Sequence, residues 1–209
     1  MIQTFFFMEN DTIVTQDSFP VFLLFTLLCL LGAIATVLPH ICGHRDLPNT
    51  LDHVRYTDFL GVRLVHGHHK LCGEFNSHEI EFKGKTICAA CLGLLIGAIM
   101  AGVISFHHFI LSVNYPQTAG YFGLLFSFLG LCYIPILKPK NPLLRILYNS
   151  LFVIGFALIL VVVDNSGSSS NDYLIIGLSV FWMYSRIKFS NWGHNQICNN
   201  CDDPCKNGG

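Results

Sequence analysis

Apolar residues in this chain are gathered into long blocks rather than set at amphipathic spacing, and five blocks stand out: residues 19–41, 87–106, 117–137, 143–163 and 173–185. Crossing about 30 Å of hydrocarbon takes roughly 20 apolar residues in a helix. The first four blocks meet that length. The fifth runs for only about a dozen residues before Arg186, the length of a short span with snorkelling flanks, a re-entrant segment or a buried interfacial helix. The pattern predicts an all-α membrane protein with about five transmembrane helices and a small cytoplasmic Cys/His knuckle.

Composition supports lipid as the surrounding medium. Of the 209 residues, 52% are hydrophobic and 12% charged, against roughly a quarter charged in a soluble domain. Mean hydropathy is +0.53. The net charge of -1 gives no electrostatic footing for nucleic acid or an acidic substrate.

The distribution of charge then sets a topology. If all five blocks cross, every one of the 12 basic residues falls on one side. Arg45, Arg55, Arg63, Lys70, Lys83 and Lys85 lie in the loop 42–86, Lys138, Lys140 and Arg145 around the third connection, and Arg186, Lys188 and Lys206 in the segment 186–209. The positive-inside rule makes that side the cytoplasm and leaves the N-terminal segment 1–18 outside. The expected location is the cell membrane, multi-pass, with the C-terminus cytoplasmic. A cleaved signal peptide fits poorly, because the block at 19–41 is long and is preceded by Glu9, Asp11 and Asp17 with no basic residue.

The loop balances its six basic residues with Asp46, Asp52, Asp58, Glu74, Glu79 and Glu81, as a small solvated subdomain does. Residues 79–85 alternate apolar and charged positions around Gly84, which predicts a short hairpin turning at that glycine and leading into the second helix. Gly93 and Gly97 within that helix form a small-x-x-x-small face for close helix packing, within the chain or against a second copy.

The chemistry is concentrated in cysteine and histidine. His69 and Cys72, then fifteen residues, then Cys88 and Cys91, give two ligand pairs at the spacing of a zinc knuckle, with His66, His68 and His78 as substitutes for His69. Thiols facing a reducing cytoplasm favour metal binding or catalysis over a disulfide. His194, Cys198, Cys201 and Cys205 form a second cluster, able to hold its own metal or to share one with the loop. Zinc is the expected ion, ahead of an iron–sulfur cluster or copper. Cys29 and Cys132 read as small hydrophobes within apolar helices, and His107 and His108 as interfacial residues at the outer end of the second span. His40 and Cys42 end the first block near the depth of Cys88 and Cys91. The clear spans carry no ionisable group away from their ends, Asp164 and Arg145 being terminal, and this disfavours transport. No motif of hydrolysis or phosphoryl transfer is present, so no catalytic residue is assigned.

Residues 72–97 resemble an uncharacterised family of small prokaryotic polytopic membrane proteins marked by C-A-x-C-x-G-x-x-x-G opening a membrane helix. Ser77, Phe82, Gly84, Cys88, Ala89, Cys91, Gly93 and Gly97 carry the resemblance. Ala90 and Leu92 stand where that family usually has Arg and Thr. The resemblance implies the membrane architecture and the paired cysteines, and no reaction.

The expected function is a non-catalytic membrane subunit or scaffold whose zinc site orders loop and tail for a membrane protein partner or a second copy in the bilayer. Two alternatives stand beside it: an accessory subunit of a membrane metalloenzyme complex, such as a copper-dependent monooxygenase, and a thiol redox protein using Cys88 and Cys91.

Overall fold

A computed structural model describes residues 18–37, 56–59, 62–65, 79–82, 85–133 and 141–199. Among the described residues five helices form a bundle: α1 (Ser18–Val37), α2 (Ala89–Phe109), α3 (Gln117–Cys132), α4 (Pro142–Asp164) and α5 (Ser169–Asn199). Two antiparallel hairpins lie between α1 and α2. One pairs β1 (Tyr56–Phe59) with β2 (Val62–Val65), the other β3 (Glu79–Phe82) with β4 (Lys85–Cys88). The register sets Phe82 opposite Lys85 and Glu79 opposite Cys88. A hairpin thus occupies the alternating segment before α2; the expected turn residue, Gly84, lies outside the described residues.

Helices α2 and α4 are long and apolar enough to cross a membrane, and α1 and α3 carry shorter apolar stretches. Among the described residues no charged side chain lies within α1 or α3. The last helix departs from expectation. In place of a short apolar segment ending before Arg186, α5 runs for 31 residues, about 46 Å at 1.5 Å per residue. Hydropathy marks where apolar side chains stop, whereas the backbone goes on making its own hydrogen bonds through Arg186, Lys188 and Trp192.

Helix α4 is the hub, with α2 and α3 packed along it, α1 against α2, and α5 touching α4 and α1 more sparingly. Glycine makes the two tight seams. A Cβ on Gly93 would come within 2.5 Å of the Ile146 carbonyl and 2.6 Å of the Asn149 Cβ, so only hydrogen fits there. Gly97 is held against the Ser150 backbone in the same way. The small-residue face of α2 is therefore spent within the chain, on α4, where the Ser150 hydroxyl also donates to the Gly93 carbonyl at 2.8 Å. On the other side of α4, Gly123 faces the Gly155 carbonyl.

Local signals fix the helix ends. Asn141 caps α4, its side chain accepting from the Leu143 N–H at 2.9 Å, and Pro142 occupies the first helical position, where no N–H is needed. The turn from α4 to α5 uses Gly167 at φ +70°, and the Asn165 amide ties that turn to the Tyr115 carbonyl at 3.1 Å. Val21, Phe25, Ala101, Ala157, Leu160 and Ile176 form a core drawn from α1, α2, α4 and α5.

Candidate functional site

Antiparallel packing gives the bundle two ends, and each carries a polar cluster. The hairpin end holds Cys88 and Cys91, two of the predicted ligands. Strand β4 closes at Cys88, which takes extended φ and ψ as the N-cap of α2, and Cys91 follows in the first turn. Both are half-buried. The strand runs directly into the helix, so the two thiols are carried on regular secondary structure rather than on a loop. No side chain caps this helix, and its first-turn N–H groups add a positive field to the surroundings of the thiols. The guanidinium of Arg145, in the first turn of α4, stands within electrostatic range of Cys88 and Tyr133.

The other predicted ligands are not assembled in view. His69, Cys72, Cys201 and Cys205 lie outside the described residues. His194 and Cys198 fall in the final turns of α5, four positions and therefore about one turn apart, with their side chains outside the description. Among the described residues no group of three or more His, Cys, Asp and Glu converges as a metal site. The substitutes His66, His68 and His78, and the flanking His40 and Cys42, are likewise outside it. Cys29 and Cys132 are half-buried on α1 and α3.

Sequence reasoning missed a buried arginine beside the cysteine junction. Arg186 of α5 is 6% exposed. Its Nη2 donates to Asn149 Oδ1, and its guanidinium lies over the Phe152 ring at 4.6 Å and the Tyr133 ring at 5.1 Å. Asn149 spends its amide hydrogens on the Tyr133 hydroxyl at 2.9 Å and the Arg145 carbonyl at 2.5 Å. One asparagine, 1% exposed, thus joins α4, α5 and the end of α3. Arg186 Nη1 has no hydrogen-bond partner among the described residues.

The opposite end was missed as well. His108, expected at an interface, is 1% exposed. Its Nε2 lies 2.8 Å from Asp164 Oδ2, and its Nδ1 lies 3.0 Å from the Val113 carbonyl. A carbonyl only accepts, so Nδ1 carries a hydrogen and the tautomer is fixed; the contact of Nε2 with the carboxyl then needs one further proton between the two. Ser18 of α1 donates to Asp164 Oδ1 at 2.8 Å. Asp172, in the first turn of α5 and ahead of the predicted fifth span, faces Asp164; burial first, and that neighbouring carboxyl next, push its pKa up to about 7. Asp164 ends α4, as expected, yet it is buried rather than solvated.

Compared with protein-family models, with curated proteins and with solved structures, the chain has no significant match.

Proposed function

We propose that this chain is a five-span integral membrane protein with its N-terminus outside, and that it acts as a non-catalytic subunit or scaffold organised by a cytoplasmic zinc site. The observation that carries the reading is the hairpin–helix junction. It holds Cys88 and Cys91 three positions apart where strand β4 passes into α2, half of a four-ligand set. His69 and Cys72 are the assigned partners in the loop, and His194, Cys198, Cys201 and Cys205 supply the second set from the tail.

Several features support the membrane part. Large apolar residues point outward on every helix, among them Leu27 on α1, Ile99 on α2, Phe128 on α3, Leu143 on α4 and Phe181 on α5. In water such a surface aggregates, and in lipid it is the surface required. Helix α5 exceeds the hydrocarbon thickness by roughly half. Its last turns, with positions 194 and 198, therefore extend past the bilayer on the same face as the hairpin. Loop and tail ligands then meet in one compartment, where a membrane partner or a second copy of the chain reads the folded surface.

The test is elemental analysis of the full chain purified in detergent, beside a variant with Cys88→Ser and Cys91→Ser. About one or two zinc per chain, reduced or lost in the variant, is the expected result. A metal-free intact protein overturns the reading.

One observation favours a second reading, thiol redox chemistry. Cys88 opens a helix with Cys91 three positions on, and Arg145 is near it, the kind of surroundings in which thiolates are stabilised. The same samples separate the two, since a redox pair forms a reversible disulfide between Cys88 and Cys91 and needs no metal.

A further inference from the structure

The cluster at the end of the bundle opposite the cysteines contains more acid than it can hold ionised. Asp164 has both oxygens engaged, one by Ser18 and one by His108. Asp172 then brings a second carboxyl against it. Asp172 is 2% exposed, and its Oδ1 has no hydrogen-bond partner among the described residues. The imidazole of His108 supplies at most one positive charge, enough to balance one carboxylate. A second carboxylate in the same water-poor space would be an uncompensated buried charge, costly enough that the group takes up a proton instead.

Each member comes from a different element. Ser18 belongs to α1, His108 to α2, Asp164 to α4 and Asp172 to α5, with the Val113 carbonyl of the α2–α3 connection fixing the imidazole. Among the described residues the titratable groups facing Asp172 are Asp164 and His108; α1 contributes only a hydroxyl, and the Tyr115 ring packs edge-on to His108. Helix α5 is also the helix least bound to the rest. Its first turn carries Asp172, the one acidic residue of that helix.

We propose that Ser18, His108, Asp164 and Asp172 form a proton-binding site, and that the proton held between Asp164 and Asp172 latches the start of α5 to α4. When the proton leaves, two facing carboxylates repel and the first turns of α5 open towards solvent; the proton passes to bulk water, so no other reactant is needed. The site lies at the other end of the bundle from the cysteines and does not depend on the metal reading.

The direction with pH follows from Asp172. Undocked, it titrates in the ordinary carboxyl range near 3.8; docked, near 7. Docking therefore takes up a proton between those values. The latch is strongest below the lower value, weakens as pH rises through the interval, and changes no further above the upper one.

Hydrogen exchange on the full chain in detergent, from about pH 5 to about pH 8 and corrected for the intrinsic pH dependence of exchange, tests this directly. Opening of the first turns of α5 is expected to increase with pH, by up to about tenfold per unit, and to level near pH 7. Asp172→Asn keeps the shape and never ionises, so it should hold those turns closed at every pH. Asp164→Asn should bring the plateau to lower pH by removing the neighbouring charge. As a second readout, the infrared band of a protonated carboxylic acid should fade between the same limits in the parent and be missing in Asp172→Asn. A flat exchange profile in the parent, or a parent-like slope or band in Asp172→Asn, overturns the proposal.

Discussion

The seam between α2 and α4 and the seam between α4 and α5 are built on opposite principles. At the first, Gly93 and Gly97 let two backbones touch along the helices, and the titratable pair His108–Asp164 joins them only at the end away from the cysteines. At the second, Ile176 of α5 joins Ala157 and Leu160 of α4 in the core, and polar side chains pair on either side of it: Arg186 to Asn149 near one end, Asp172 to Asp164 at the other. In lipid there is little hydrophobic drive between helices, so close packing and hydrogen bonds decide which helices stay together. Backbone packing gives a fixed seam. Polar pairing gives one whose strength follows protonation and the state of its partners.

Breaking the fixed seam should have the largest effect. Gly93→Leu forces a side chain into the Ile146 backbone and the Asn149 Cβ, with an expected loss of about 3 kcal/mol or more. Gly177→Leu adds the same atoms where space is open and should change stability by less than about 0.5 kcal/mol. Thermal unfolding of the two variants in the same detergent makes the comparison, and equal effects would mean that the close approach at Gly93 does not hold α2 to α4.

Next comes the polar seam at the hairpin end. Asn149→Ala strips hydrogen bonds from Tyr133, the Arg145 carbonyl and Arg186 together, leaving a buried guanidinium unpaired, and should cost about 2 to 4 kcal/mol. Arg186→Met removes the cation along with its desolvation and keeps an apolar chain over Phe152 and Tyr133; its effect should stay within about 1 kcal/mol. Denaturant titration followed by tryptophan fluorescence reads both, and a greater loss in Arg186→Met would mean that the cation itself holds the helices.

The smallest effect belongs to the cap. Asn141→Ala removes the acceptor for the Leu143 N–H at an exposed helix start, and should lower stability by about 1 kcal/mol without altering either seam. A selective change in exchange along α5 would show that the start of α4 is coupled to it.

The apolar blocks located all five helices, because a run of about 20 apolar residues is specified one residue at a time and needs no partner to be recognised. The hairpin before α2 was readable for a similar reason, from alternation over a few residues. Helix α5 was legible only in its apolar half; past Arg186 nothing in hydropathy distinguishes a polar helix from a polar tail. The two buried clusters were harder. His108, Asp164 and Asp172 each sit at the end of an apolar block and look solvated when taken singly. A signal was available in the topology. In an antiparallel bundle the C-terminal ends of α2 and α4 and the N-terminal ends of α1 and α5 share one face, so a histidine, two aspartates and a serine were bound to gather there. Arg186 offered less, since its burial depends on Asn149 and Tyr133 being brought opposite it by α3 and α4.

Zinc K-edge absorption on the intact, detergent-purified chain reads the ligands of the proposed metal site themselves. The expected first shell is dominated by sulfur at about 2.3 Å, with fewer sulfur neighbours in the Cys88→Ser, Cys91→Ser variant. A shell of nitrogen and oxygen alone, or a spectrum unchanged by the double substitution, would contradict it.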